Sequence, residues 1–369
     1  MNIILKCGIN APNARYGANS CGLIIEMTLK EFLQEWNDPS PFVRVHTSGS
    51  TGDPKSMLVE KRRMEASARM TCSFLGLQEG NTALLCMPLD YIAGKMMVVR
   101  ALTCGLRLVS VPPSGHPLAN SQFSILNCQL DFAAMVPMQV WNTLQVPEER
   151  ERLRQVHHLL IGGGAIDSQL AEALQDFPGN VWSSYGMTET LSHIALRRLN
   201  GPERSDWYTP LPGVTVSLNA DGCLVIDAPH VCSTRLVTND LAELRPDSTF
   251  RILGRRDNVV CSGGVKIQME AVEEALRSHL AIPFMITKCP DPKFGEVVAM
   301  LIEDTCGYDA PATNGQESSL VEHCRSICQR VLPKYEQPKR FLVVDCLPLT
   351  ETGKPARVKA QQLVATRTE

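Results

Sequence analysis

The sequence has little net charge of either sign. Its 36 basic residues against 39 acidic leave -3, so no global field favours a polyanion, and nucleic acid is excluded as a first partner. No Cys-x-x-Cys pair occurs among the 14 cysteines; they read as reduced, mostly buried thiols of a cytoplasmic protein. A basic head followed by a long apolar stretch is missing from the N-terminus, and no apolar run escapes charge. The most apolar region, 91–111, carries Lys95, Arg100 and Arg107, whereas a transmembrane segment needs about 20 residues with few or no charges. That region reads instead as a helix over 93–103, a C-cap at Gly105 and a strand over 107–111. Internal repeats, long low-complexity tracts and Gly-x-Ser-x-Gly are also absent, and His157-His158 fits a strand edge better than a zinc site.

What is present is a soluble chain of 369 residues, 44% hydrophobic and 20% charged, long enough for two domains. Short apolar runs at 83–87, 107–111, 133–136, 158–161 and 181–183 alternate with helical patterns at 59–75, 138–144 and 168–176. This predicts an α/β domain with a mainly parallel sheet. Beyond Pro210 come short β-type runs at 214–218, 222–226, 235–238 and 250–253, a small antiparallel unit closing the large domain. The domain boundary is placed at Gly254, giving 1–254 and 255–369. The second part carries helices over 269–279 and 319–331, strands over 284–288, 297–302 and 340–344, and a polar surface loop over 307–316. Residues 10–20 show no period, and one reading starts native translation at Met27, which would leave residues 1–26 without a structural role; Met27-Thr28 opens a capped helix running to Trp36.

The strongest chemical signal is Thr47-Ser48-Gly49-Ser50-Thr51-Gly52-Asp53-Pro54-Lys55. Small residues let backbone approach an anion, the N–H groups and hydroxyls donate to phosphate oxygens, and Lys55 adds positive charge. A Walker A loop has four residues between its glycines and Gly directly before the Lys; here two residues separate Gly49 from Gly52, and Pro54 precedes Lys55. Five further runs carry possible chemistry: Gly162-Gly163-Gly164-Ala165, Ser184-Tyr185-Gly186-Met187-Thr188-Glu189, Thr238-Asn239-Asp240-Leu241, Gly254-Arg255-Arg256-Asp257 and Cys261-Ser262-Gly263-Gly264. Thr352-Gly353-Lys354 lies near the end. Tyr185-Gly186 follows a strand and sets an aromatic face beside bare backbone where open α/β sheets bind ligands. Taken alone, Asp240 is a solvated residue of a polar turn, Lys354 a solvated lysine, and Thr188-Glu189 a helix cap.

In this order, over 47–354, these motifs resemble those of the adenylate-forming acyl- and aryl-CoA ligases, related to luciferases and to the adenylation domains of peptide synthetases. The resemblance implies an α/β fold with a large N-terminal domain, a small β unit and a small mobile α+β C-terminal domain. It implies ATP, Mg²⁺ and CoA, the last as a substrate. Thr47 to Gly52 with Lys55 would hold the β- and γ-phosphates. Tyr185 would stack on adenine opposite Gly163, Gly164 and Ala165, flanked by Ser184, Gly186 and Met187. Thr188 would bond the α-phosphate, Glu189 would hold Mg²⁺, and Asp240 with Arg255 would take the ribose. Lys354 would be the catalytic lysine, Asp257 the hinge, and Gly263 and Gly264 part of the CoA tunnel.

Within that family, Pro88-Leu89 with Gly94 and Arg100, Val136-Pro137-x-Gln139-x-Trp141, and Ile267-Gln268 resemble the o-succinylbenzoate-CoA ligases of menaquinone biosynthesis. That acid is a dianion, and Lys95, Arg100, His193 and Arg197 are candidates for its second carboxylate, with Lys95 and His193 ranked first beside Tyr91 and Gly162. Compared with family members, the chain looks truncated before Thr47. The partners expected are a small carboxylic acid, ATP and CoA; a homo-oligomer is compatible with everything in the sequence. Other readings are a ligase for a different acid and a carrier-loading adenylation enzyme.

Overall fold

The computed structural model describes residues 27–46, 56–119, 129–304, 319–350 and 354–366. The first helix, Leu29–Asn37, starts where expected, because Thr28 and Glu31 close a capping box, satisfying two of the backbone donors a helix start leaves open. It buries Phe32 completely. Strands Phe42–His46 and Ser56–Glu60 pair antiparallel, with His46 opposite Ser56. The helical pattern expected from 59 begins at Lys61, since 59–60 are still strand; it runs as Lys61–Leu75 and stops at Gly76, whose φ of 68° favours glycine.

A seven-stranded sheet forms the centre, in the order Arg107–Ser110, Thr82–Leu85, Phe132–Met135, His158–Ile161, Asn180–Gly186, His193–Arg198, Thr209–Pro210. Its first five strands are parallel, matching the expected α/β alternation. Successive residues face opposite layers. Ala83 and Leu85 join a core with Met64, Ala68, Met96 and Val99 of the helices Lys61–Leu75 and Ile92–Cys104. Leu84 faces the other way, into a core with Val140, Leu153 and Leu170 of Pro137–Gln145, Pro147–Arg154 and Ser168–Ala173. Gly105, with φ of 70°, caps Ile92–Cys104 as its position suggested.

The last two strands of this sheet are antiparallel and were not anticipated. They arise because the chain reverses tightly after Gly186, where a Cβ would stand 2.2 Å from the Ser192 carbonyl oxygen. Only glycine permits that approach.

Beyond lies a four-stranded antiparallel sheet in chain order, Thr215–Leu218, Cys223–Asp227, Leu236–Leu244 and Phe250–Arg255, the β unit expected after Pro210. Residues after Arg255 build a five-stranded sheet from Val259–Ser262, Val265–Gln268, Phe284–Asp291, Gly295–Glu303 and Arg340–Val344. Met269–Arg277 and Ser319–Val331 cover one face through Val272, Leu276 and Ile327, and Arg357–Thr366 covers the other through Ala360 and Val364. This hairpin-started, α+β arrangement agrees with the expected C-terminal architecture. Among the described residues no helix is long and apolar enough to cross a membrane.

Candidate active site

Two ends of a site can be built from these elements. At the first, strand Asn180–Gly186 delivers Tyr185, whose hydroxyl donates to Asp240 Oδ2 at 2.6 Å. Its ring packs edge-on against Phe250, with centroids 5.2 Å apart. Burial, and then the neighbouring Asp240 carboxylate, push the Tyr185 hydroxyl proton far above its ordinary pKa, so the phenol stays a donor and Asp240 its acceptor. Asp240 does not sit in a polar turn. It lies inside strand Leu236–Leu244 directly opposite Arg255, because the Thr238 hydroxyl accepts from the Asp240 N–H at 3.1 Å and donates to the Leu224 carbonyl at 2.8 Å. Side-chain bonding thereby keeps polar residues within the ladder, and the register shifts just after Leu241.

Arg255 extends this polar edge. Its Nη1 is 3.9 Å from Asp240 Oδ1 and its Nη2 is 3.1 Å from Asp257 Oδ2. Lys354, whose carbonyl accepts from the Thr350 N–H, lies close enough to Arg255 to be influenced by it. Burial first, and the Arg255 charge second, lower its pKa below the usual lysine value. Tyr185, Asp240, Arg255 and Lys354 are therefore brought together from two sheets and a segment outside any strand, with two cations beside one another. That arrangement favours an anion.

Gly162, Gly163, Gly164 and Ala165 follow the central strand His158–Ile161. A Cβ at Gly162 would meet Ser184 Oγ at 2.4 Å, so that hydroxyl would have to turn away from the Ile161 carbonyl to which it donates. Gly163 turns the chain at φ of 80°; 163–165 are exposed. After Gly186, Thr188–Thr190 is a single 3-10 turn rather than the start of a longer helix. Thr190 locks it, its side-chain oxygen accepting from the Met187 N–H at 3.0 Å and lying 2.6 Å from the Ser192 carbonyl. Thr188 is half-buried and Glu189 exposed. No described donor bonds the Glu189 carboxylate, which suits a hard cation needing one protein carboxylate plus phosphate oxygens. Among the described residues no cluster of three His, Cys, Asp or Glu could hold a metal by itself.

The second end is buried. Lys95 differs from expectation: it is 1% exposed, and its ammonium donates to the Arg44 carbonyl at 2.6 Å, lies 3.5 Å from Glu35 and sits over the Phe32 ring. It ties helix Ile92–Cys104 to strand Phe42–His46 and to the first helix, so its charge is spent on the fold. Burial lowers its pKa, with Glu35 and Asp90 opposing. His193 also differs. It is 5% exposed, with Nε2 3.0 Å from Thr71 Oγ1 and Nδ1 3.2 Å from Ser192 Oγ, so both ring nitrogens are already engaged. Arg197 pairs with Asp206 at 3.2 Å. Tyr91 caps the helix and bridges His46.

The residue ranked behind these stands out. Arg100 is 2% exposed; its Nη2 donates to Ser192 Oγ at 2.7 Å, Nη1 reaches only the Met97 sulfur at 3.6 Å, and its buried Nε has no partner. No carboxylate pairs with it among the described residues, and burial pulls its pKa down to about 10. Ser192 and Thr71 were missed in the sequence. They belong to separate elements, and no local spacing signals them.

Elsewhere, Asp257 Oδ2 accepts from Asn239 and Arg255, both at 3.1 Å, in the turn Arg256–Asn258. Gly263 and Gly264, at φ of 58° and 85°, form the two-residue loop of the hairpin Val259–Ser262 and Val265–Gln268. Their conformation explains the glycines without any ligand. Gln139 spans the Val136 N–H and the Cys86 and Ser114 carbonyls, and Gln268 Nε2 donates to the Arg255 carbonyl. Thr47, Ser48, Gly49, Ser50, Thr51, Gly52 and Lys55 lie outside the described residues, as do residues 1–26, the loop expected at 307–316, and Thr352-Gly353.

A parallel sheet ending in this polar edge, with lysine and arginine drawn to it, is the arrangement that the resemblance to adenylate-forming acid-CoA ligases implies. The family model "AMP-binding enzyme" matches residues 18–229, and the chain belongs to that family. In sequence it is 26% identical over 347 residues to the 2-succinylbenzoate-CoA ligase of Bacillus thuringiensis subsp. konkukian (strain 97-27), covering 87% of this chain and 69% of that one. It resembles the solved acyl-CoA synthetase (AMP-forming)/AMP-acid ligase II-like protein of Dyadobacter fermentans DSM 18053, at 33% identity and a TM-score of 0.58, over 91% of this chain and 93% of that chain. The o-succinylbenzoate coenzyme A synthetase of Bacillus subtilis, solved with ATP and magnesium ion, shares the fold at 24% identity and a TM-score of 0.68, over 86% and 69% of the two chains.

Proposed function

We propose that the chain activates o-succinylbenzoate with ATP, releases pyrophosphate, and passes the acyl group from the adenylate to CoA, a step of menaquinone biosynthesis. The observation that carries the choice of acid is Arg100. A buried guanidinium with no carboxylate partner and an unpaired Nε is expensive unless an anion meets it, and a diacid brings a second carboxylate. Arg100 takes the place in this reading first given to Lys95 and His193. The similarity to 2-succinylbenzoate-CoA ligases and the ATP and magnesium seen in the Bacillus subtilis relative support the same assignment.

In this reading Tyr185 and Asp240 receive adenine and ribose beside Gly163 to Ala165, with Arg255 on the sugar. Thr47 to Gly52 and Lys55 cradle the phosphates, Thr188 bonds the α-phosphate, and Glu189 holds Mg²⁺, which neutralises phosphate charge when bound. The Lys354 ammonium offsets the charge that develops as carboxylate oxygen attacks phosphorus and pyrophosphate departs. The unit after Gly254 then turns about Asp257 so that the lysine leaves and the thiol approaches past Gly263 and Gly264. The test is turnover with ATP, Mg²⁺, CoA and a panel of aromatic acids, reading pyrophosphate and thioester. Thioester from o-succinylbenzoate is expected; turnover with benzoate but not o-succinylbenzoate would overturn the acid assigned.

A further inference from the structure

Thr71, from helix Lys61–Leu75, and His193, which opens strand His193–Arg198, are fully or nearly fully buried, and Ser192 is half-buried beside them. With Arg100 they form one hydrogen-bonded chain across three elements, and its direction can be derived. Thr71 Oγ1 lies 3.1 Å from the Ser67 carbonyl oxygen. A carbonyl only accepts, so the hydroxyl proton of Thr71 is used there. Thr71 can then only accept from His193 Nε2, 3.0 Å away, which fixes the ring proton on Nε2. Burial, and then Arg100, hold His193 well below its ordinary pKa, so the ring is neutral and Nδ1 is bare. Nδ1 accepts from the Ser192 hydroxyl at 3.2 Å, and Ser192 Oγ accepts from Arg100 Nη2 at 2.7 Å. Every donor along the path points the same way, from Arg100 to the Ser67 carbonyl.

We propose that Thr71, His193 and Ser192 are a positioning relay that fixes the Arg100 guanidinium so that the chain selects acids carrying a second carboxylate. None of the three needs to touch the acid; each acts through the next on Arg100. The inference rests on the reading that Arg100 receives that second carboxylate. Its chemical sense is that an arginine held at Nη2 by a serine whose own proton is committed elsewhere keeps one orientation, leaving Nε to the ligand. An unheld guanidinium would rotate among several.

The test uses the full chain with ATP, Mg²⁺ and CoA on two acids sharing one succinyl arm, o-succinylbenzoate and 4-oxo-4-phenylbutanoate, which lacks the ring carboxylate. Thr71→Val removes the acceptor for His193 at nearly constant volume. It should raise the KM of the diacid relative to that of the monoacid about tenfold, the equivalent of one buried hydrogen bond, and Thr71→Ser should restore the ratio. An equal change for both acids, or no change in the ratio, would mean that Thr71 serves packing only and would overturn the relay. Arg100→Gln separates the two levels. If it leaves the diacid-to-monoacid ratio as in the parent, the reading of Arg100 itself falls; if it removes the preference while Thr71→Val does not, only the relay falls. Independently of activity, ¹⁵N NMR of the histidine-labelled chain, with His193→Gln for assignment, should show a ring protonated at Nε2 and bare at Nδ1. A proton on Nδ1 instead would overturn the derived direction.

Discussion

The two ends of the site are built on opposite principles. At the end formed by Tyr185, Asp240, Arg255 and Lys354, polar groups from two sheets and a segment outside them meet at a partly open edge, and two of them bond directly, in the 2.6 Å contact between Tyr185 and Asp240. At the end formed by Arg100, Ser192, His193 and Thr71, the groups are mostly buried, and the cation is bonded by a hydroxyl and a thioether, with no carboxylate partner among the described residues. Open edges tolerate charge because water screens it; enclosed ones make each unpaired donor count. In the function proposed above, the first end takes the highly charged nucleotide and the second discriminates between acids.

The largest effect should come from the open end. Lys354→Ala removes the only proposed charge that acts on the reacting carboxylate and α-phosphate together. Adenylate formation, followed by pyrophosphate release, should fall on the order of 10²- to 10³-fold, as when a preorganised electrostatic group is deleted, while thioester formation from presynthesised adenylate is spared. Equal loss in both half-reactions would dissolve the distinction between the lysine and the rest of the site. Next is Asp240→Asn, which weakens the bond from Tyr185 and removes one of the two carboxylates beside Arg255, leaving Asp257. The KM for ATP should rise about tenfold, in line with a charged hydrogen bond, with the KM for the acid little altered. A rise for the acid instead would show that the two ends are not separate.

The same contrast governs what the sequence could tell. The open end was legible because its residues come in contiguous runs whose spacing survives without knowledge of the fold: Tyr185, Asp240 and Arg255 were singled out and lie together, although Asp240 was assigned to a turn and belongs to a strand. The parallel strands and the β unit after Pro210 were legible from period and punctuation. The enclosed end was legible only in part, through Arg100 and His193; Thr71 and Ser192 were not. Its members lie at 71, 100, 192 and 193, and what joins them is the reversal after Gly186, which places Leu191 at a φ of 64° and starts a strand no pattern announced. Lys95 illustrates the converse. A lysine beside a motif looks functional, yet packing under Phe42–His46 commits it to the Arg44 carbonyl.

A third substitution probes how firmly the enclosed end is braced. Gly94, near the start of the helix that carries Arg100, has its Cα so close to the preceding loop that a Cβ would stand 2.2 Å from the Pro88 carbonyl oxygen. Backbone, not a movable side chain, must give way. Gly94→Ala should therefore destabilise by about 1–3 kcal/mol, the range for overpacking, seen as a lower denaturation midpoint in urea. It should also raise the KM of the acid more than that of ATP. An equal rise for both would argue that the helix supports the whole site rather than one end.

The smallest effect at neutral pH, and the sharpest as pH falls, concerns enclosed histidines. Burial first, then His157 and Arg198, push His158 down to about 4, and its Nδ1 accepts from Trp182 Nε1 at 3.3 Å, a role only the unprotonated nitrogen can fill. The unfolded chain, with an ordinary histidine, takes up a proton near pH 6.5, while the folded chain does not until about 4. Where the unfolded state binds more protons, stability rises with pH. The contribution is therefore fully present above about pH 6.5 and is lost as pH falls toward 4, by up to about 1.4 kcal/mol per pH unit for one such group. His158→Gln, which keeps an acceptor for Trp182 but cannot titrate, should leave stability at pH 7.5 nearly as it was and flatten the decline between about pH 6.5 and 4. His193, lowered in the same direction, maintains a residual slope. Urea denaturation across that range decides the matter: an unchanged slope in the variant would mean that His158 is already charged in the folded chain, and that enclosure in this half of the molecule does not keep its histidines neutral.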